Sequence, residues 1–322
     1  LRLFWRLNVV VVVKLAVFAK PILQENRMFQ GAHTAIVTPF NADGSVDYGQ
    51  LKANVEFQIA GGVDGVVPVG TTGESPTLTH DEHNQVIAAV VEATAGKIKV
   101  IAGTGSNSTA EALAMTKAAA AAGADGTLQV NPYYNKPSQE GLYRHYATVA
   151  DEGGLPVVLY NIPGRSAVAL AADTAIRLAV NSNVVAIKEA TGSLDMASEI
   201  ALATDLTILS GDDSLTLPIM SVGGHGVISV LSNIVPDRVK ALVDTAASGD
   251  FAKAQSLHLN LFKLCKALLT IDTNPVPIKA AMAKIGMDTG TLRLPMTALT
   301  ADKSAVLDVI LSDAGVGAAA HA

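Results

Sequence analysis

The stretch with the most chemical potential in this 322-residue chain is Val184-Val185-Ala186-Ile187-Lys188-Glu189-Ala190-Thr191-Gly192. Four apolar residues in a row read as a parallel strand buried on both faces, and a lysine arrives at its C-terminal end. Burial there lowers the pKa of an amine from ~10.4 towards ~7–8, which yields a neutral nucleophile able to attack a ketone and form a Schiff base. The competing reading leaves Lys188 leaning out of the strand end and paired with Glu189 or another carboxylate.

Other polar clusters follow other apolar runs. Gly70-Thr71-Thr72-Gly73-Glu74-Ser75 combines glycines that let backbone approach a ligand with two adjacent hydroxyls suited to a carboxylate. An ordinary glycine-bounded turn is the alternative, and the phosphate-cradling Gly-x-x-x-x-Gly-Lys-Ser/Thr pattern is absent. Asn131-Pro132-Tyr133-Tyr134-Asn135-Lys136-Pro137 and Tyr160-Asn161-Ile162-Pro163-Gly164-Arg165 hold half of the six tyrosines, and a phenol can relay a proton beside an imine. Arg165 offers a charged fork for a substrate carboxylate, or else a surface ion pair. Ser210-Gly211-Asp212-Asp213 and Gly223-Gly224-His225-Gly226-Val227-Ile228 would expose backbone carbonyls through their glycines. His80 and His83 stand three apart on a predicted helix, facing one way, and further zinc ligands are missing. They read as solvated surface histidines.

Positioning these groups requires short strands alternating with alanine-rich helices. Strand candidates are residues 34–37, 65–69, 99–102, 126–130, 157–160, 184–188, 207–209 and 226–230, with helical spacing at 48–60, 80–94, 109–122, 139–150 and 173–180. Eight β-then-α units without a hairpin signal predict a parallel (β/α)8 TIM barrel over residues 28–235. A doubly wound open sheet is the runner-up, but no Gly-x-Gly-x-x-Gly turn follows the first strand. Beyond it, residues 236–322 read as a C-terminal group of about three helices, at 237–247, 251–270 and 276–285, packed on the barrel. In such a barrel chemistry sits where the strands end, so the clusters above belong to one mouth.

Composition bounds the function. The chain is 49% hydrophobic and 16% charged, which suits a large core. Residues 1–27 carry five Lys/Arg and one Glu, leaving 18 basic against 28 acidic residues from Met28 onward. An acidic body without a basic stripe argues against nucleic acid. Residues 1–27 have an apolar run too short to span a bilayer and read as an extension outside the fold (upstream translation, a cloning remnant or a weak export signal). Cys265 alone permits no internal disulfide or cysteine metal cluster; a reducing, cytoplasmic setting and a core role for this thiol are the simplest expectations.

The motifs Gly70–Ser75, Tyr160-Asn161-Ile162-Pro163 and Ile187–Gly192 resemble the pyruvate-dependent class I aldolase superfamily. Asn131–Pro137, Arg165, Gly223–Ile228, Asn274-Pro275-Val276-Pro277 and Arg293-Leu294-Pro295-Met296-Thr297 narrow the likeness to its dihydrodipicolinate synthase family, over residues 28 to about 312. That resemblance implies Schiff-base aldol condensation of pyruvate with aspartate 4-semialdehyde, then cyclisation, in lysine and diaminopimelate biosynthesis, with no metal or organic cofactor. Lys188 matches the imine-forming lysine, and Tyr160, Thr71 and Tyr134 match a proton relay whose second tyrosine comes from a neighbouring subunit. Thr72 with Thr71 matches the pyruvate-carboxylate contact, Arg165 the receptor of the aldehyde's carboxylate, and Gly211 and the carbonyl of Ile228 further substrate contacts. Ser75, His80, His83, Asn107, Glu111 and Tyr133 match a feedback site for lysine at a subunit interface. A dimer is then needed for a complete site, and a tetramer is expected. The rivals are another pyruvate aldolase, such as an N-acetylneuraminate or keto-deoxy sugar acid lyase, and a non-catalytic pyruvate or amino-acid sensor. Sugar substrates would not specifically call for Arg165, and a sensor could dispense with the relay.

Overall fold

The protein is described by a computed structural model covering residues 27–317. The expectation of an extension at residues 1–27 therefore falls, but for Arg27, outside the described residues. Eight strands, β1 Gly31–Thr34, β2 Gly65–Val66, β3 Lys99–Gly103, β4 Gly126–Val130, β5 Val157–Asn161, β6 Val184–Glu189, β7 Thr207–Ser210 and β8 Gly226–Ser229, pair in parallel in chain order. β8 closes on β1, so the sheet is the closed barrel that the alternating pattern predicts.

The helices of the outer ring are α1 Tyr48–Ala60, α2 His80–Thr94, α3 Thr109–Ala122, α4 Gln139–Glu152, α5 Pro163–Ser166, α6 Ala172–Leu178, α7 Leu194–Ala203, α8 Thr216–Ser221 and α9 Pro236–Ala247. Most start where a short polar side chain accepts an otherwise orphaned N–H. Asp47, Ser108, Ser138 and Ser193 do so, and Thr79 forms a reciprocal capping box with Glu82. α10 Phe251–Thr270, α11 Val276–Lys284 and α12 Ala301–Asp313 follow. They bury Leu261, Leu264, Ile278, Met282, Leu307 and Leu311 in one apolar cluster with Leu242 and Val243 of α9.

Two strands differ from expectation. The first lies three residues earlier than 34–37; Ala35 and Ile36 still donate backbone hydrogen bonds to Ser229 and Val67, but the regular strand ends at Thr34. The second stops at Val66, since the chain turns at Val69, where φ is +50°. α12 escaped the sequence reading. Its apolar residues lie on several faces, with Leu307 and Leu311 buried and Val306 and Val309 exposed, so no stripe stands out.

Strand alternation sorts side chains into two layers. Ala35, Val67, Leu128, Val158, Tyr160, Ala186, Leu209 and Ile228 fill the barrel interior, while Leu159 and Ile187 face the helices. Lys188, next but one after Ala186, therefore points inward at the top of this layer. No helix among the described residues is long and apolar enough to cross a membrane.

Candidate active site

A pocket of about 130 Å³ opens at the C-terminal mouth of the barrel. Ala35, Val67, Leu128, Tyr160 and Val230 supply apolar wall and floor, and Thr71, Thr72, Arg165, Lys188, Gly211 and Asn274 supply its chemistry. Lys188 is 5% exposed. The β5–β6 register sets Tyr160 beside it, and its Nζ lies 4.3 Å from the centre of the Tyr160 ring. Gly211 faces the same amine: a Cβ there would come within 3.1 Å of Lys188 Cε and 2.6 Å of Ala190 Cβ. Lys188 is thus neither solvent-facing nor paired with Glu189, whose side chain lies on the other face of the strand. There Glu189 accepts from the backbone N–H of Thr191 at 2.6 Å and from Asn161 Nδ2 at 3.3 Å, and burial raises its pKa.

Thr71 and Thr72 stand in the turn after β2. Thr72 Oγ1 accepts from Asn274 Nδ2 at 3.0 Å, and the Asn274 carbonyl accepts from Arg165 Nη2 at 3.2 Å. Asn274 therefore bridges the two groups read as carboxylate receptors. No carboxylate pairs with Arg165 among the described residues, so its charge and its remaining N–H groups stay available to a ligand. On the opposite wall Asp213 accepts from Ser229 Oγ and from the backbone N–H groups of Val230 and Leu231, and burial raises its pKa. That clamp holds Val230 over the pocket.

Two of the expected site residues do not line this pocket with their side chains. Ile228, expected to contribute its carbonyl, has its side chain fully buried in the barrel interior. Tyr134 is 90% exposed, at φ +73°, and does not line the pocket.

The second predicted cluster assembles in part. Glu111 accepts from Ser106 Oγ and lies 2.8 Å from His80 Nε2, while Asn107 Nδ2 donates to the Tyr133 carbonyl at 3.1 Å. Burial, then the Glu111 charge, raises the pKa of Tyr133. Ser75 opens the short turn Ser75–Thr77 before α2. The histidines do not face the same way. His80 is largely exposed, whereas His83 is buried with Nε2 2.9 Å from the Gly103 carbonyl, and desolvation lowers its pKa. One helical turn covers 3.6 residues, so a three-residue step turned His83 under the helix while His80 stayed at its rim.

Sequence reasoning missed Asn274 as a pocket residue and Lys279 altogether. Asn274 carried a signal in its Asn-Pro-x-Pro setting; Lys279 looks like any helical lysine. Among the described residues no group of three His, Cys, Asp or Glu could hold a metal ion. Cys265 is buried, and burial pushes its thiol pKa up, which suits a core residue rather than a nucleophile.

Comparison with known proteins follows the same lines. Residues 28–314 match the model of the dihydrodipicolinate synthetase family. A 4-hydroxy-tetrahydrodipicolinate synthase from Citrifermentans bemidjiense is 54% identical over 288 residues, covering 89% of this chain and 99% of its own. The crystal structure of dihydrodipicolinate synthase from Aquifex aeolicus superposes with a TM-score of 0.88 at 46% identity, over 90% of this chain and 99% of that one. The lysine-bound structure from Cyanidioschyzon merolae gives 0.87 at 42% identity, again over 90% and 99%.

Proposed function

The chain belongs to the dihydrodipicolinate synthetase family and is a Schiff-base lyase with 4-hydroxy-tetrahydrodipicolinate synthase activity; from that premise we propose how its own residues run the reaction. Lys188 captures pyruvate. The observation that carries this reading is an amine 5% exposed at the mouth of a barrel, in one pocket with Tyr160, Thr71, Thr72 and Arg165.

In its unprotonated form the Lys188 amine adds to the keto carbon, and loss of water leaves an iminium. That cation is an electron sink, so the methyl carbon gives up a proton and becomes an enamine carbon. The enamine attacks the aldehyde of aspartate 4-semialdehyde, forming the new C–C bond, and the alkoxide takes a proton. The substrate's amine then attacks the iminium carbon, closes the ring and releases Lys188. Tyr160 carries protons to and from these centres, with Thr71 and the Tyr134 phenol of a neighbouring copy completing the relay. Thr71 and Thr72 hold the pyruvate carboxylate, Arg165 receives the aldehyde's carboxylate, and Gly211 and the Ile228 carbonyl make further contacts.

The outward Tyr134 supports a dimer as the least unit with a complete site, and a tetramer as the working assembly. The His80–Glu111 pair beside Tyr133 supports a regulatory site for lysine, formed with Ser75, His83 and Asn107. Its link to catalysis is short, since Tyr133 precedes Tyr134. The lone buried thiol fits a cytoplasmic enzyme. Borohydride reduction with pyruvate, followed by peptide mapping, tests the central step: the adduct belongs on Lys188, and an adduct elsewhere or none overturns the reading.

A further inference from the structure

Behind the carboxylate cradle, on the side away from the pocket, lies a buried ion pair with no part in the steps above. Lys279 Nζ of α11 is 2.8 Å from Glu74 Oε1, with side chains 0% and 1% exposed. Lys279 also donates to the Thr38 carbonyl at 2.9 Å and lies 4.2 Å from the centre of the Phe40 ring. Thr38 in turn donates from Oγ1 to the Gly73 carbonyl at 2.7 Å, and Glu74 Oε2 accepts the backbone N–H of Arg293 at 3.2 Å. Glu74 has φ +53° and Val69, on the other side of the two threonines, φ +50°. Such conformations persist in non-glycine residues only where the surroundings over-determine them.

Stability alone is a weak account of the pair. Apolar residues of similar volume often hold a buried site as well as two opposite charges do, because desolvation offsets their attraction. What apolar contacts lack is direction. Here directed bonds from Lys279, Thr38 and Arg293 converge on Gly73 and Glu74, immediately after Thr72. The same C-terminal segment meets the cradle again where Asn274 donates to Thr72.

We propose that Lys279 and Glu74 are positioning residues that hold Thr71 and Thr72 in the shape that receives an α-keto acid's carboxylate, which makes α11 part of substrate selection. This rests on reading Lys188 as the nucleophile and the threonines as the carboxylate contact. A scaffold that merely kept the barrel folded would serve any ketone equally. A cradle-specific device serves only a ketone that carries a carboxylate.

The test compares borohydride trapping on Lys188 with pyruvate and with acetone, in the intact enzyme and in the Glu74→Gln/Lys279→Met double variant, with thermal melts alongside. The double variant removes both charges of the pair together. It is expected to trap acetone at the parental concentration and to need about ten times more pyruvate, the scale of a sub-ångström misplacement. Should it fail to fold, Glu74→Asp keeps the charge, shortens the reach, and is expected to give the same pyruvate-selective shift. A folded variant with an unshifted pyruvate response, or an equal shift for both ketones, overturns the proposal. A parental enzyme that forms no pyruvate adduct sinks this inference and the Lys188 reading together; a parental adduct with an unshifted variant sinks this one alone.

Discussion

Lys188 Nζ lies 4.3 Å from the centre of the Tyr160 ring because the register of β5 and β6 sets the two residues side by side on the inner face of the barrel. Backbone pairing, rather than a flexible loop, thus holds amine and phenol together. Sites built on strands keep their geometry better than sites on loops. Lys188→Ala should lose the pyruvate adduct and at least about 10³-fold in turnover, since no other group can form the iminium. Circular dichroism and a thermal melt should show the barrel intact.

Gly211→Ala tests how closely the mouth is fitted around that amine. The new methyl would stand 2.6 Å from Ala190 Cβ and 3.1 Å from Lys188 Cε. Overpacking of this kind costs about 1–3 kcal/mol. A displaced amine should cost a further factor of about 10–100 in kcat/KM. Parental kinetics with a lowered Tm would show that the glycine serves packing alone.

Tyr134→Phe should leave the melting temperature almost unchanged, because the substitution keeps the ring and removes only a hydroxyl. Turnover should nonetheless fall by about 10²-fold if its phenol relays a proton in a neighbouring copy. Mixing inactive Lys188→Ala and Tyr134→Phe subunits should restore part of the activity, as hybrid dimers regain one complete site. No recovery in subunits shown to exchange would place the phenol outside the relay.

Acid sensitivity should come from histidines whose charged form desolvation disfavours, His145 and His225 most, with His33 and His83 acting in the same sense. Burial lowers the pKa of His145 and of His225 to about 4. Between pH 4 and 6.5 the unfolded chain therefore binds more protons at these rings than the folded one, so stability is lost as pH falls through that window. Asp288 acts in the opposite sense: burial raises its pKa to about 6, so below that pH the folded state holds the extra proton. His145→Gln should flatten the pH dependence of Tm between 6.5 and 4, by up to about 3 kcal/mol for a shift of this size. An unchanged slope would remove His145 from the account.

Lysine inhibition is expected to depend on Glu111, the one carboxylate in its cluster, which lies 2.8 Å from His80 Nε2. Glu111→Gln should raise the half-inhibitory lysine concentration about tenfold or more, the scale of a lost charge-assisted hydrogen bond, while turnover without lysine stays near parental. Flat turnover of the parental enzyme across a millimolar lysine titration would count against the site.

Periodicity and strand-end chemistry were local properties, so they were legible without coordinates. Alternating apolar runs and helical stretches implied the barrel, and the lysine ending the sixth run implied a buried amine at its mouth, because a parallel strand sends its last inward residue there. Pairings across long stretches of chain were not legible. Lys279 meets Glu74 from 205 residues away, Asn274 reaches Thr72 across 202, and His83 turns under its helix onto Gly103. Each is decided by which faces the closed barrel brings together, and a charged residue looks the same in sequence whether its partner is water or a buried ion. Tyr134 follows the same rule: its type suggested a proton carrier, but its 90% exposure is a property of the folded chain.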